Sequence, residues 1–150
     1  MHRRQFYAGW GDVDVNAHMR NAAYLEKSTD VRLMYFIENG FPVKEFVRLH
    51  IGPVVMKDEL EYFKEVGLHQ EITVTFELAG HALDGSRYLV RNEFFRADGT
   101  LSTRVTSAGG WLNLLERKLI APPPALLSAM NALGRTSDFV VLASSIDRRS

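Results

Sequence analysis

Residues 9–37 read GWGDVDVNAHMRNAAYLEKSTDVRLMYFI. Asp12 and Asp14 close an extended, aromatic-rich lead-in, and Asn16, Ala17 and His18 turn the chain. From Asn21 onward the composition favours helix, until Asn39-Gly40, a pair suited to the left-handed end of a helix. A helix over about 21–38 is predicted, with Asn21 as its cap. Ala22, Leu25, Thr29, Leu33 and Phe36 would form its apolar stripe, widened by Tyr24, Val31, Met34 and Tyr35. Glu26, Lys27, Asp30 and Arg32 interrupt that surface, so the helix is expected to be mostly but not wholly buried. One short loop therefore gathers a carboxylate, an imidazole, amides and a helix start. The first turn of a helix carries unpaired N–H groups and a partial positive charge. There a carbonyl oxygen can be polarised beside a base or nucleophile.

Working outward, Gln5–Trp10 reads as a strand with Phe6 and Trp10 on one face. Pro42–His50 is a short amphipathic piece of a helical turn or two. After Gly52-Pro53 the period falls to two. Val54–Val66 is one extended segment with a bulge or bend near Lys57-Asp58, and Ile72, Val74, Phe76 and Leu78 alternate with polar residues in the next. Tyr88–Phe95 and Leu101–Leu115 are joined through Asp98-Gly99, a hairpin signal. Gly109-Gly110 marks a bulge or a close backbone approach. These four strands, with short links, imply an antiparallel meander. Pro122–Pro124 break the chain before a short helix over Ala125–Leu133. Phe139–Ala143 reads as an edge strand, and Asp147–Ser150 as loose. The class is α+β, with about five strands and one long helix. A single helix cannot cover both sheet faces, and Ile72, Val74, Phe76 and Leu78 would leave an apolar patch on a monomer. A homodimer or homotetramer is expected.

The 150 residues suit a single domain over 1–150, with 135–150 as a C-terminal tail. The formal net charge of zero argues against a nucleic-acid partner. With no cysteine there is no disulfide, thiolate metal site or cysteine nucleophile. The first ten residues lack the apolar run of a signal peptide, and no stretch approaches a membrane span, so a cytoplasmic protein is expected. No GxSxG elbow, P-loop or dinucleotide fingerprint occurs, and the histidines are scattered without ligand spacing. Neither metal nor cofactor is expected.

Residues 11–26, GDVDVNAHMRNAAYLE, resemble the signature of the hotdog-fold acyl-CoA thioesterases, in the 4-hydroxybenzoyl-CoA thioesterase-like group. EYFKEVGLHQEITVTFEL (61–78), FFRADGTLSTRVTSAGGWLNL (94–114) and LIAPPPALLSAM (119–130) extend the resemblance, which covers about Gln5–Leu133. It implies a sheet wrapped around the long helix, dimers with active sites between subunits, and hydrolysis of an acyl-CoA to a carboxylic acid and coenzyme A. Asp14 would be the base or nucleophile, and the backbone N–H near Asn21 would bind the thioester oxygen. His18 either orients Asp14 or the water, or simply fixes the turn. Asp12 reads as structural, bonding loop N–H groups or offsetting nearby arginines. Arg87, Arg91, Arg96, Arg104 and Lys64 are candidates to meet the phosphates of coenzyme A. Three residues depart from the family pattern. Arg20 stands where many relatives have asparagine, Thr29 where many have glutamate, and Ala17 replaces a common glycine. The alternatives are a hotdog-fold enoyl-thioester hydratase or dehydratase using His18, and a domain that binds acyl thioesters without cleaving them.

Overall fold

The long helix forms where composition and its stop signal place it. In the computed structural model, which describes residues 2–146, the order is β1 (His2–Tyr7), a 3-10 turn (Trp10–Asp12), α1 (Asn21–Glu38), α2 (Val43–Leu49), β2 (Ile51–Tyr62), β3 (Glu71–Ala82), β4 (Arg87–Arg96), β5 (Leu101–Asn113), β6 (Lys118–Ile120), α3 (Pro124–Ala132) and β7 (Arg135–Leu142). Gly40 at φ +86° lets the N–H of Phe41 turn back to the Phe36 carbonyl at 2.8 Å and close α1. The chain start differs from expectation. β1 begins earlier and ends at Tyr7, because Gly9 and Asp12 bond to each other and wind Trp10 into the turn, where it is exposed. Asn21 is the first helical residue rather than the cap; the capping position is Arg20, whose side chain makes no cap bond. Asp147–Ser150 lie outside the described residues.

The strands form one curled, largely antiparallel sheet of seven, ordered β1-β3-β4-β5-β2, with β6 beside β5 and β7 parallel to β3. The expected four-strand meander is corrected to three strands, β3-β4-β5. β2 does not pair with β3 but crosses to the far side of β5. Its register shifts between Val55 and Lys57, near the anticipated bulge. The tail adds an edge strand, as its apolar run suggested, and β6 is a strand its three residues did not announce. No helix among the described residues is long and apolar enough to cross a membrane.

α1 packs across one face of this sheet. Ile72, Val74, Phe76 and Leu78 are 0–1% exposed, with Val31, Tyr35 and Phe36 of α1 in the same core. The patch proposed to need a second subunit is therefore covered within one chain. The opposite face carries charge instead: Arg91 pairs with Asp138 at 3.0 Å, and Arg104 with Glu93 at 2.9 Å. The buried stripe of α1 also lies one step around from the expected one. Ala23, Tyr24, Ser28, Val31, Tyr35 and Phe36 are buried, whereas Ala22 and Thr29 are exposed and Leu25 and Leu33 are half-buried. Gly109 is where β5 meets its neighbours most closely. A Cβ there would stand 2.3 Å from the Val54 carbonyl oxygen and 2.7 Å from the Tyr88 hydroxyl.

Candidate active site

The loop before α1 is a small hairpin built on Asp14. Val13 bridges Met19, the Asp14 N–H donates to the His18 carbonyl at 2.9 Å, and the Ala17 N–H donates to the Asp14 carbonyl at 2.9 Å. Ala17 is forced to φ +59°, the left-handed region, which explains why glycine suits this position. Asp14 Oδ1 accepts the N–H of Asn16 at 2.9 Å and that of His18 at 3.3 Å. This is the side-chain turn that aspartate favours. It fixes the carboxylate through one oxygen, while Oδ2 has no hydrogen-bond partner among the described residues.

The hairpin is anchored to the segment after β2. Met19 N–H donates to the Val66 carbonyl at 2.7 Å, and Leu68 N–H to that of Ala17 at 3.0 Å. Asp12 has the structural role read for it, although its cation is a lysine. Its Oδ2 accepts the Gly9 N–H at 2.8 Å and lies 3.2 Å from Lys27 Nζ on α1. Arg20 donates to the Gly11 carbonyl at 3.1 Å and to Glu26 at 3.2 Å. The N–H of Arg20 is claimed by the Asp12 carbonyl, and that of Ala23 by the Arg20 carbonyl. The N–H groups of Asn21 and Ala22 are then the open donors of the first turn.

These parts border one cleft of about 660 Å³, lined by Asp14, Asn16, His18, Asn21, Tyr24 and, opposite them, residues 62–66 with Arg96. Asp14, His18 and Asn21 are therefore brought together. The ring of His18 does not meet the Asp14 carboxylate: its Nε2 lies 3.2 Å from Glu65 Oε2. Its link to Asp14 runs through the backbone. Tyr24 and Tyr35 are core residues, as expected, but Tyr24 also forms part of the cleft wall, edge-on to Tyr62 at 5.8 Å and Phe94 at 5.1 Å. Burial, with Tyr24 beside it, raises the Tyr62 hydroxyl above its ordinary range.

Of the five basic residues considered for phosphate contacts, only Lys64 and Arg96 border the cleft. Arg96 is steadied by Asp98 and by the Glu65 carbonyl, each at 3.3 Å, while Lys64 forms no ion pair among the described residues. Arg91 and Arg104 are paired on the other sheet face, and Arg87 stands near the β4 start. Apart from Lys64, the wall at 62–66 was not foreseen as part of the site. Its only signal was the pair of exposed aromatics, Tyr62 and Phe63, following a charged stretch. Among the described residues no three His, Asp or Glu side chains are grouped as metal ligands would be.

A family model described as the thioesterase-like superfamily matches residues 8–130. No curated protein matches the chain by sequence. Among solved structures, a hypothetical protein from Staphylococcus aureus in complex with CoA superposes with a TM-score of 0.80 at 21% identity, over 90% of this chain and 86% of that one. A 1,4-dihydroxy-2-naphthoyl-CoA thioesterase from Synechocystis gives 0.79 at 13% identity, covering 88% and 96%. A DHNA-CoA thioesterase from Staphylococcus aureus gives 0.78 at 17%, covering 86% and 87%. At such identities these structures share the hotdog fold with this chain.

Proposed function

The chain belongs to the thioesterase-like superfamily and is a thioester hydrolase, and from that premise we propose that it cleaves acyl-CoA with Asp14 as base or nucleophile and the first turn of α1 as the oxyanion site. The observation that carries this reading is the sharing of one cleft by Asp14, with one oxygen unclaimed, and the helix start at Asn21. The thioester carbonyl oxygen would lie against the N–H groups of Asn21 and Ala22. As water adds to the carbonyl carbon, Asp14 takes its proton and negative charge grows on the oxygen. One preorganised donor there is typically worth about 3 kcal/mol. The C–S bond then breaks, and the thiolate leaves as coenzyme A with the proton. In the covalent variant Asp14 attacks first and water opens the mixed anhydride. His18 acts in both by holding the carboxylate through its backbone N–H. Lys64 and Arg96 on the opposite wall supply positive charge for coenzyme A phosphates. The bound CoA of the Staphylococcus aureus relative supports this choice of thiol.

The test is thiol release over acyl-CoAs of graded length, aromatic ones included. At least one should turn over; silence across the panel with tight binding would make this a carrier domain. Loss of enoyl absorbance without thiol release would make it a hydratase. We also propose a homodimer or homotetramer. Its support is the open edge of β2, where Val55 and Met56 are exposed and, at the cleft, so are Tyr62 and the adjoining Phe63. Sedimentation at micromolar concentration should show at least a dimer, and an active monomer would remove the shared-site idea.

A further inference from the structure

A second cavity lies further along α1, in the wall it makes with β2, β4 and β5. It is a narrow slot of about 90 Å³, bordered by Arg32, Phe36, Val55, Tyr88, Trp111 and Met130 among others, and its surface is almost wholly apolar. Arg32 is the exception that gives the slot a chemistry. Its Nε donates to Asn92 Oδ1 at 2.9 Å and its Nη2 to Ser107 Oγ at 2.8 Å, and Ser107 in turn donates to Asp58. No carboxylate pairs with this guanidinium directly, and Nη1 has no hydrogen-bond partner among the described residues. Burial lowers its pKa, but a guanidinium keeps its proton in a protein. The side chain is half-buried, and a charge drawn partly out of water without a direct counter-ion is costly.

Two more residues that carry donors border the same space. Trp111 is 1% exposed, and its buried Nε1–H has no acceptor among the described residues. Tyr88 is 5% exposed, and its hydroxyl, which fits only because residue 109 is glycine, has no hydrogen-bond partner either. Burial pushes that hydroxyl up to about 12, so it remains a donor. Thr29 also lines the slot, but its hydroxyl is turned to the Leu25 carbonyl at 3.1 Å. Three donors thus surround an apolar slot with no carboxylate on its wall. Of the three, Trp111 Nε1 is the one buried outright without an acceptor among the described residues, and buried donors in folded proteins nearly always have acceptors.

We propose that this slot receives the far end of the acyl group, and that it selects acyl groups ending in a hydrogen-bond acceptor, a carboxylate above all, which Arg32, Tyr88 and Trp111 would hold. This rests on the acyl-CoA reading above. The two sites lie on one face of α1. Asn21, Leu25, Thr29 and Leu33 follow at intervals of four. Asn21 and the slot mouth at Thr29 are about 12 Å apart along the axis. A carbon chain of about ten extended bonds spans that distance.

The test uses the full chain in two arms. The protein has two tryptophans, so it shows two side-chain indole N–H signals by NMR, which a Trp10→Phe variant assigns. Hexanoate should move the Trp111 signal saturably, and hexanol of equal length, an uncharged and weaker acceptor, should need at least tenfold more ligand for the same shift. Arg32→Met should abolish the response and Arg32→Lys weaken it, the second variant serving if the first does not fold. In the other arm, thiol release is compared for acyl-CoAs matched in length and ending in methyl or carboxylate. The carboxylate end should be favoured in kcat/KM by about tenfold or more at some length, and Arg32→Lys should shrink that ratio. A Trp111 signal indifferent to hexanoate would mean the donors are met by water only, and the proposal falls. A preference for methyl at every length also overturns it. Absence of thiol release from every substrate would sink the thioesterase reading alone, leaving the indole titration to decide the slot.

Discussion

The two halves of α1 solve opposite problems. Its N-terminal end opens onto a polar cleft walled by loops, where Asp14 is exposed and fixed by backbone N–H groups. Its C-terminal half is driven into an aromatic wall. Phe36 meets Phe46, Phe76 and Trp111 edge-on or nearly so at 6.0–6.3 Å, and Tyr35 donates to the Ala129 carbonyl of α3 at 2.7 Å. The first end spends stability on placing groups; the second supplies it. A change at one end should therefore move rate and leave melting largely alone, and a change in the aromatic wall at the other should move melting first and reach rate only through the acyl slot.

Asp14→Asn is the hardest push on this contrast. The side chain keeps its volume and one acceptor oxygen for the turn, but loses the charge that either chemical route requires. Turnover should fall about 100- to 10,000-fold, the usual cost of a lost general base. KM should change little, since the lost interaction belongs mainly to the transition state. If Asp14→Asn keeps near-normal kcat while His18→Ala or Asp12→Asn abolishes it, the chemistry belongs elsewhere in the loop. Phe76→Ala probes the opposite end. Phe76 is 1% exposed, so the variant should lose about 3–5 kcal/mol in denaturant titration. A smaller loss would mean that the aromatic wall collapses around the gap.

Asp12→Asn sits between the two. It weakens the tie to Lys27 and to the Gly9 N–H, and should cost about 1.5 kcal/mol with turnover retained within about tenfold. Loss of most activity would show that Asp12 belongs to the chemistry. The smallest effect is expected at Ala17→Gly. Relief of the left-handed strain, less the added freedom of the unfolded chain, should stabilise by about 0.5–1 kcal/mol. That corresponds to a melting temperature about 2 °C higher, read by calorimetry. A drop instead would mean the methyl of Ala17 packs usefully.

What could be read from the chain beforehand divides along similar lines. α1, the Asp98-Gly99 hairpin and the close approach at Gly109 follow from local chemistry, and they formed as expected. Asp14 and Asn21 were legible as neighbours because a single turn separates them. The crossing of β2 to β5 was not legible, because a period of two says which residues share a face and nothing about which strand lies alongside. Arg32 was read as an interruption of an apolar stripe. Only the pairing of β4 with β5 brings Asn92 and Ser107 together beneath it and turns the interruption into a network. The same limit hid the meeting of His18 with Glu65.

The sheet order also sets an order in time. β3, β4 and β5 are joined by short turns and can pair as soon as they collapse. β2 must find β5 across the intervening β3-β4 hairpin, and β7 must reach back to β3 past four other elements. Each such closure loses chain entropy before any contact rewards it. The central three strands should therefore assemble first under α1, with β1, β2 and β7 joining late. Until they do, both flanks of the young sheet stand unpaired, and a crowded newly made chain is most exposed to its neighbours there.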